Sequence, residues 1–214
     1  MKKQKVLITG SSSGLGKALS IFFSKKGHDI IAHGRDKARL EDLKKEIRTY
    51  NVNCETYKCN LNSLVEVKGL AEFSVKNNVK VLINNAGLLC QGKELKNLND
   101  NEIIGQINVN LLAPILLSKY LSEHVNNIIN INSMVGREIK KHRTIYSASK
   151  WGLRGFSNSL RMELNHVKIL DVYPTNIQTS SDKKNSMDID FVCKEIYTAY
   201  LKNDEEIILD GRNL

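Results

Sequence analysis

Seven short apolar runs alternate with longer amphipathic stretches along this 214-residue chain, and that alternation leaves few architectures open. Residues 5–9 (with Val6-Leu7-Ile8), 28–33, 80–84, 127–132, 167–172 and 206–209 are rich in Ile, Val and Leu and read as buried strands, and 52–57 (Val-Asn-Cys-Glu-Thr-Tyr) reads as a further strand. Between them, 15–25, 36–49, 63 to about 76, 99 or 100 to about 124, 146–165 and 188–202 carry apolar residues at helical spacing. Ser63, and Asn99 or Asp100, are placed to cap two of these helices. A strand that returns to its sheet through a helix must lie parallel to its neighbour, and both faces of such a sheet must be covered. The expected fold is α/β: a doubly wound, mostly parallel seven-stranded sheet with helices on both faces. No Gly/Ser/Pro linker or fixed-period repeat divides it, so residues 1–214 are expected to form a single domain.

Composition narrows the function classes. Apolar residues make up 41% and charged residues 26%, the balance of a soluble globule rather than a disordered chain. The longest apolar run, seven residues from Leu111 to Leu117, falls far short of the ~18 that would span a bilayer. Only Val6-Leu7-Ile8 follows the basic Lys2-Lys3, too little for a leader, so a cytoplasmic location and no membrane partner are expected. The formal charge of +9 comes mostly from scattered pairs such as Lys25-Lys26 and Lys44-Lys45, without an aromatic stacking pattern, so no nucleic-acid partner is expected. Cys54, Cys59, Cys90 and Cys193 include no Cys-x-x-Cys pair and read as free thiols. His28, His33, His124, His142 and His166 are dispersed, each a surface or internally satisfied side chain; no metal site is expected.

Ligands of doubly wound sheets bind beyond the carboxyl ends of the strands, so the residues after each strand matter most. The first is followed by Thr9-Gly10-Ser11-Ser12-Ser13-Gly14-Leu15-Gly16, a glycine loop that suits a dinucleotide pyrophosphate at a helix N-terminus. It is not a phosphate loop of the magnesium type, since Lys17 is followed by Ala18 rather than Ser or Thr. The second ends at Gly34-Arg35, where a cation favours a 2′-phosphate and the absence of a carboxylate removes the ribose partner, pointing to NADP(H) over NAD(H). Lys17 and Arg39 could assist. The fourth runs into Asn84-Asn85-Ala86-Gly87 and the fifth into Asn132-Ser133-Met134. Tyr146 and Lys150 then lie four apart, on one face of a helix. An ammonium near a phenol stabilises phenolate, and bringing a Tyr pKa from about 10 towards 7 takes roughly 4 kcal/mol, within reach of Lys150 plus a nicotinamide cation.

Taken together, Thr9-Gly10-x-x-x-Gly14-x-Gly16, Asn84-Asn85-Ala86-Gly87, Asn110, Ser133, Tyr146-x-x-x-Lys150 and Pro174 to Thr179 resemble the classical short-chain dehydrogenases/reductases, over nearly the whole chain. The resemblance implies a Rossmann-like fold and an NADPH-dependent reductase of a ketone or aldehyde, reversible as an alcohol dehydrogenase. The alternatives are a 3-oxoacyl-thioester (acyl carrier protein) reductase and a non-catalytic dinucleotide sensor. It implies that Tyr146 is the general acid and that Lys150 bonds the nicotinamide ribose and lowers the Tyr146 pKa. Ser133 would orient the substrate oxygen, and Asn110 would hold a water leading from Lys150 to solvent. Cofactor contacts would fall to Gly10, Ser12, Ser13, Gly14, Leu15, Gly16, Arg35, Asn60, Leu61, Asn85, Ala86, Gly87, Tyr146, Lys150, Pro174, Thr175, Ile177 and Thr179. A homodimer or homotetramer is implied as well.

Three departures from the family pattern bear on the site. Asn60 stands where Asp is usual, changing a contact to the adenine amino group. Thr175 replaces the glycine that usually follows Pro174; a positive φ there would be costly, so the loop is expected to sit differently. Only residues 180–187 separate Thr179 from the last helix, where relatives often carry a long lid, which implies an open pocket with broad substrate selection. The basic stretch 137–143 (Arg-Glu-Ile-Lys-Lys-His-Arg) reads either as a solvated loop or as a capture site for an anionic substrate at the pocket mouth.

Overall fold

The computed structural model describes residues 3–90, 93–178 and 186–212. All seven expected strands form: β1 (Lys5–Ile8), β2 (Asp29–Gly34), β3 (Cys54–Lys58), β4 (Val81–Asn84), β5 (Asn127–Ile131), β6 (Lys168–Pro174) and β7 (Glu206–Leu209). They make one sheet in the order β3-β2-β1-β4-β5-β6-β7, and every pairing is parallel. The sheet is therefore parallel throughout rather than mostly so, because no two consecutive strands are joined as a hairpin.

Side chains alternate across a strand, and the core divides accordingly. Val6 and Ile8, Ile30 and Ala32, Val81 and Ile83, Ile129 and Ile131, Leu170 and Val172 point to one face. There they meet Leu19 and Phe23 of α1 (Gly14–Lys25), Leu40, Leu43 and Ile47 of α2 (Lys37–Arg48), and Val192 and Ile196 of α7 (Ile189–Lys202). Leu7, Ile31, Leu82, Ile128 and Ile169 point to the other, against Val67 and Leu70 of α3 (Leu64–Lys76) and Leu117 and Leu121 of α5 (Ala113–Leu121). That layer also holds α4 (Asp100–Ile107) and α6 (Thr144–Glu163). Near-continuous apolar strands thus serve two cores at once.

Local chemistry sets the helix ends. Asp36 caps α2, Ser63 caps α3, and Asp188 caps α7, each accepting from a first-turn N–H. Asn99, rather than Asp100, caps α4, in a reciprocal pair of bonds with Glu102. The long helix expected from 99 or 100 to about 124 is broken by a wider π turn over Asn108–Leu112. Pro114 explains the break: its nitrogen has no hydrogen to give the Asn110 carbonyl, and the Ala113 N–H reaches back to the Asn108 carbonyl instead.

Burial pushes the Cys54, Cys59 and Cys193 thiols up to about 12, which keeps them protonated and unreactive. Among the described residues, no helix is long and apolar enough to cross a membrane, and no three His, Cys, Asp or Glu side chains are grouped to hold a metal ion.

Candidate active site

At β1 the chain order reverses, with β2 on one side and β4 on the other, so a crevice opens at the strand ends between them. A groove of about 280 Å³ fills it, lined by Gly10, Ser12, Ser13, Leu15, Gly16, Gly34, Arg35, Asn60, Leu61, Asn85, Ala86 and Gly87, together with His33, Leu88 and Val109. The glycines are structurally required. Gly10 has φ +71°, and a Cβ there would stand 3.0 Å from the Ala86 Cα. A Cβ on Gly16 would collide with the Gly10 carbonyl and the Asn85 side-chain amide. Gly14, at φ 54°, opens α1, and Ser13 caps that helix without spending its hydroxyl on it. The first-turn N–H groups of α1 thus begin beside a cradle that only backbone can line, the environment a pyrophosphate requires.

Neutral hydrogen bonds hold the cradle. The Thr9 hydroxyl oxygen accepts from the Asn85 and Ala86 N–H groups at 2.9 and 3.0 Å, and the Asn85 amide donates to the Thr9 carbonyl at 2.8 Å. His33, expected only to be a satisfied histidine, does more. Its Nδ1 accepts from the Gly10 N–H at 3.2 Å, so Nε2 carries the ring proton and donates to the Cys59 carbonyl, also at 3.2 Å. Burial pushes the His33 pKa down to about 4 and keeps the ring neutral. Histidine at the end of a strand beside a glycine loop was the available signal, and sequence spacing alone did not reveal the bond.

At the far end of the groove Arg35 is exposed and forms no ion pair among the described residues. The two cations named as possible helpers are engaged elsewhere: Lys17 pairs with Glu46 at 3.1 Å and Arg39 with Asp36 at 3.3 Å. Leu61 is buried along the groove wall. The Asn60 side-chain oxygen accepts from the Asn62 N–H at 3.1 Å in a local turn.

Leu15 and Asn85 are shared with a second, wider cleft of about 630 Å³, so the two spaces meet at a waist. The cleft is lined by Ser133 and Tyr146, by Pro174, Thr175, Asn176 and Ile177, by Asn132 and Met134 of the motif after the fifth strand, and by Val135 and Leu89, which the sequence had not singled out. Tyr146 stands on the first turn of α6 and its phenol hydrogen-bonds with Ser133, whose hydroxyl also accepts from the Val135 N–H at 3.2 Å. Lys150, one turn later, is buried; its ammonium donates to the Ile131 carbonyl at 2.8 Å and lies 5.8 Å from the centre of the Tyr146 ring. Burial brings the Lys150 pKa down to about 8, against the pull of the Asp171 carboxylate.

The Tyr146 pKa departs from expectation in the protein alone. Burial raises it, while the Ser133 bond and the Arg143 charge act the other way. Lys150 is turned to a carbonyl and contributes nothing resolved, so desolvation of the phenolate wins. Asn110 is fully buried in the π turn. Its side chain clasps Leu88, accepting from that N–H at 2.7 Å and donating to that carbonyl at 2.8 Å, with a further bond to the Ser149 hydroxyl.

The loop after β6 resolves another expectation. Thr175 has no positive φ; its N–H donates to the Leu209 carbonyl at 2.9 Å and its hydroxyl accepts from the Gly211 N–H at 2.8 Å. The residue that replaces glycine thus fastens the C-terminal segment to the cleft. Ile177 lines the cleft and bridges to Met187. Thr179, and the short stretch 180–187 except Ser186 and Met187, lie outside the described residues.

Beneath the cleft runs a buried polar chain. Asn84 donates to Asn130 at 2.8 Å, Asn130 to Ser157 at 2.9 Å, Ser157 to Asp171 at 2.8 Å, and Arg161 to Asp171 at 2.7 Å. Tyr146, Lys150, Ser157 and Arg161 fall along one face of α6, so this ion pair anchors the helix that carries the reactive pair. The basic stretch 137–143 is divided by the fold. Arg137 donates from Nη1 to both Glu206 carboxylate oxygens at 2.9 Å and covers the Tyr173 ring, whereas Lys140 and Arg143 line the cleft.

Comparison with known proteins agrees with this geometry. The family model described as short chain dehydrogenase matches residues 4–190. A curated relative, the NADP-dependent 3-hydroxy acid dehydrogenase of Schizosaccharomyces pombe, is 29% identical over 81% of this chain and 71% of its own length. The 3-oxoacyl-[acyl-carrier-protein] reductase of Thermotoga maritima is also 29% identical, over 83% of this chain and 76% of its own. Among solved structures, the bulky-bulky ketone specific alcohol dehydrogenase from Comamonas testosteroni superposes with a TM-score of 0.90 at 25% identity, covering 97% of this chain and 86% of that one.

Proposed function

Because the chain belongs to the short-chain dehydrogenase family and is an NAD(P)-dependent oxidoreductase, we propose that it is an NADPH-dependent reductase of ketones or aldehydes, reversible as an alcohol dehydrogenase. The observation that carries this reading is the joined pair of spaces: a backbone-lined groove ending in an unpaired arginine, opening through Leu15 and Asn85 onto two hydrogen-bonded hydroxyls.

The groove residues from Gly10 to Gly16, with Asn85, Ala86 and Gly87, would hold the pyrophosphate and the nicotinamide side. Leu61 and Asn60 would flank the adenine, and Arg35 would take the 2′-phosphate in a charge-assisted bond. When bound, the nicotinamide supplies the hydride that reduces the carbonyl carbon.

Ser133 donates to the substrate oxygen and fixes it beside the Tyr146 phenol. Tyr146 gives its proton to that oxygen as the C=O becomes a CH–OH, and burial, which raises its pKa, keeps the proton in place until then. Lys150 would hold the cofactor ribose, turning towards it from the Ile131 carbonyl, and would then stabilise the phenolate left behind, which regains a proton from solvent. Asn110, by clasping Leu88, keeps the floor of the nicotinamide end in place and would position the water on that proton path. No acyl-carrier surface is needed for any of these steps, so simple carbonyl reduction is preferred to the thioester alternative.

Oxidation of NADPH by a panel of ketones, aldehydes and acyl thioesters tests the reading. Tyr146→Phe should lower turnover by ~10²–10⁴-fold while leaving NADPH affinity within about threefold. A Tyr146→Phe enzyme with full turnover overturns the assignment.

A further inference from the structure

The substrate cleft contains two cations that no carboxylate among the described residues neutralises. Of the charged side chains lining it, Glu138 and Arg212 are spent on each other, forked at 2.8 and 3.0 Å, and Arg212 is also bound by Asp210. That leaves Lys140 and Arg143, neither in an ion pair among the described residues. The two differ in kind. Lys140 is exposed at the mouth, where water solvates its charge. Arg143 is half-buried, and its Nη1 is shut away from solvent with no hydrogen-bond partner. A buried guanidinium donor without an acceptor is costly, and native structures seldom keep one unless a ligand completes it.

The position of Arg143 fixes what the ligand can be. It immediately precedes α6, three residues before Tyr146, and both side chains line the cleft. His142, in the left-handed region at φ 58°, turns the chain into that helix just before it. The guanidinium is close enough for its charge to act on the Tyr146 phenol, and both line the same cleft as Ser133. An anion taken by Arg143 therefore belongs to the same molecule as the carbonyl held by Ser133 and Tyr146, only a few bonds away. The guanidinium is a flat fork that matches the two oxygens of a carboxylate. Glu138 offers no competing counter-charge while Arg212 holds it.

We propose that Arg143 is a specificity-determining residue that binds the carboxylate of a short oxo acid, so that the preferred substrates are oxo-carboxylates with the acid group within about three carbons of the ketone. The inference rests on the reductase reading above and adds the substrate class to it. Lys140 assists from the mouth by drawing in the anion.

The test compares matched pairs that differ only in charge: 3-oxobutanoate with methyl 3-oxobutanoate, and 4-oxopentanoate with methyl 4-oxopentanoate, with NADPH oxidation as the readout. In the unaltered enzyme kcat/KM for the acid should exceed that for its ester by ~10-fold or more, and the ratio should shrink with added salt. Arg143→Met should bring the ratio to about one, and Arg143→Lys should recover part of it, because it restores the charge without the fork. Lys140→Ser should lower the ratio by about two- to threefold. An acid-to-ester ratio near one in the unaltered enzyme, which needs no variant to fold, overturns the inference while leaving carbonyl reduction intact. A ratio unchanged in Arg143→Met overturns it too. No turnover with any acid or ester overturns the reductase reading, and this inference with it.

Discussion

On one side of the waist formed by Leu15 and Asn85 the crevice is made of backbone, and on the other it is made of side chains. The groove from Gly10 to Gly87 is held by neutral bonds among Thr9, Asn85 and His33. The cleft stands on a buried ion pair, Asp171 with Arg161, and keeps a half-buried cation, Arg143, whose Nη1 has no hydrogen-bond partner among the described residues. A dinucleotide is a fixed shape, so the groove can be finished in advance by close backbone approach. A substrate site must leave some hydrogen-bonding capacity for the ligand to complete, and the protein bears that as instability. Stability and selectivity should therefore respond differently to changes on the two sides.

The largest contrast concerns the supports. Asp171→Asn leaves Arg161 in a half-enclosed site without its counter-charge and should cost ~3–5 kcal/mol of unfolding free energy in urea melts. Thr9→Val removes the neutral acceptor of two N–H groups and should cost less, about 2 kcal/mol. If the two variants melt alike, the contrast between ionic and neutral bracing fails.

Acid should strike the groove through His33. Its folded pKa is about 4 against the ordinary histidine value of 6.5, so below pH 6.5 the unfolded chain takes up the proton first. The stability present above pH 6.5 is then lost progressively down to about pH 4, amounting to ~3 kcal/mol. NADPH affinity of the folded protein should hold through most of that window and weaken only as pH falls through about 4, where Nδ1 becomes protonated and can no longer accept from Gly10. His33→Asn should flatten this part of the pH–stability curve; an unchanged slope would show that His33 does not control it.

The smallest expected effect lies at the groove's outer end. Arg35→Asp should shift the NADPH-to-NADH ratio of kcat/KM by ~10- to 100-fold towards NADH, the magnitude of one charge-assisted bond. An unchanged ratio would mean that cofactor choice is made elsewhere.

Much of this was legible in the residues before any coordinates. The strands showed as short Ile/Val/Leu runs because parallel strands buried on both faces have no polar side to display. The glycine loop, Tyr146 and Lys150 were legible because each is a local pattern in a fixed position after a strand. The π turn was not, although Pro114 held the cause, since a proline near a helix start is equally compatible with an ordinary kink. Thr175 was read as a possible distortion; its bonds to Leu209 and Gly211 depend on β7 and the segment after it lying alongside β6.

Sequence by itself determined the layered fold, the order of the strand-end motifs and the phenol–ammonium pair, because all of these follow from periodicity within about twenty residues. Tertiary structure alone decided which charges are spent. Arg137 finds Glu206, Arg212 finds Glu138 and Arg161 finds Asp171, while Arg143 finds no carboxylate among the described residues. Two of those three pairings join residues about seventy positions apart in the chain, and the third joins a helix to the strand after it. Which cation is left over depends on how distant segments meet at the sheet edge, and no local pattern of residue types carries that information.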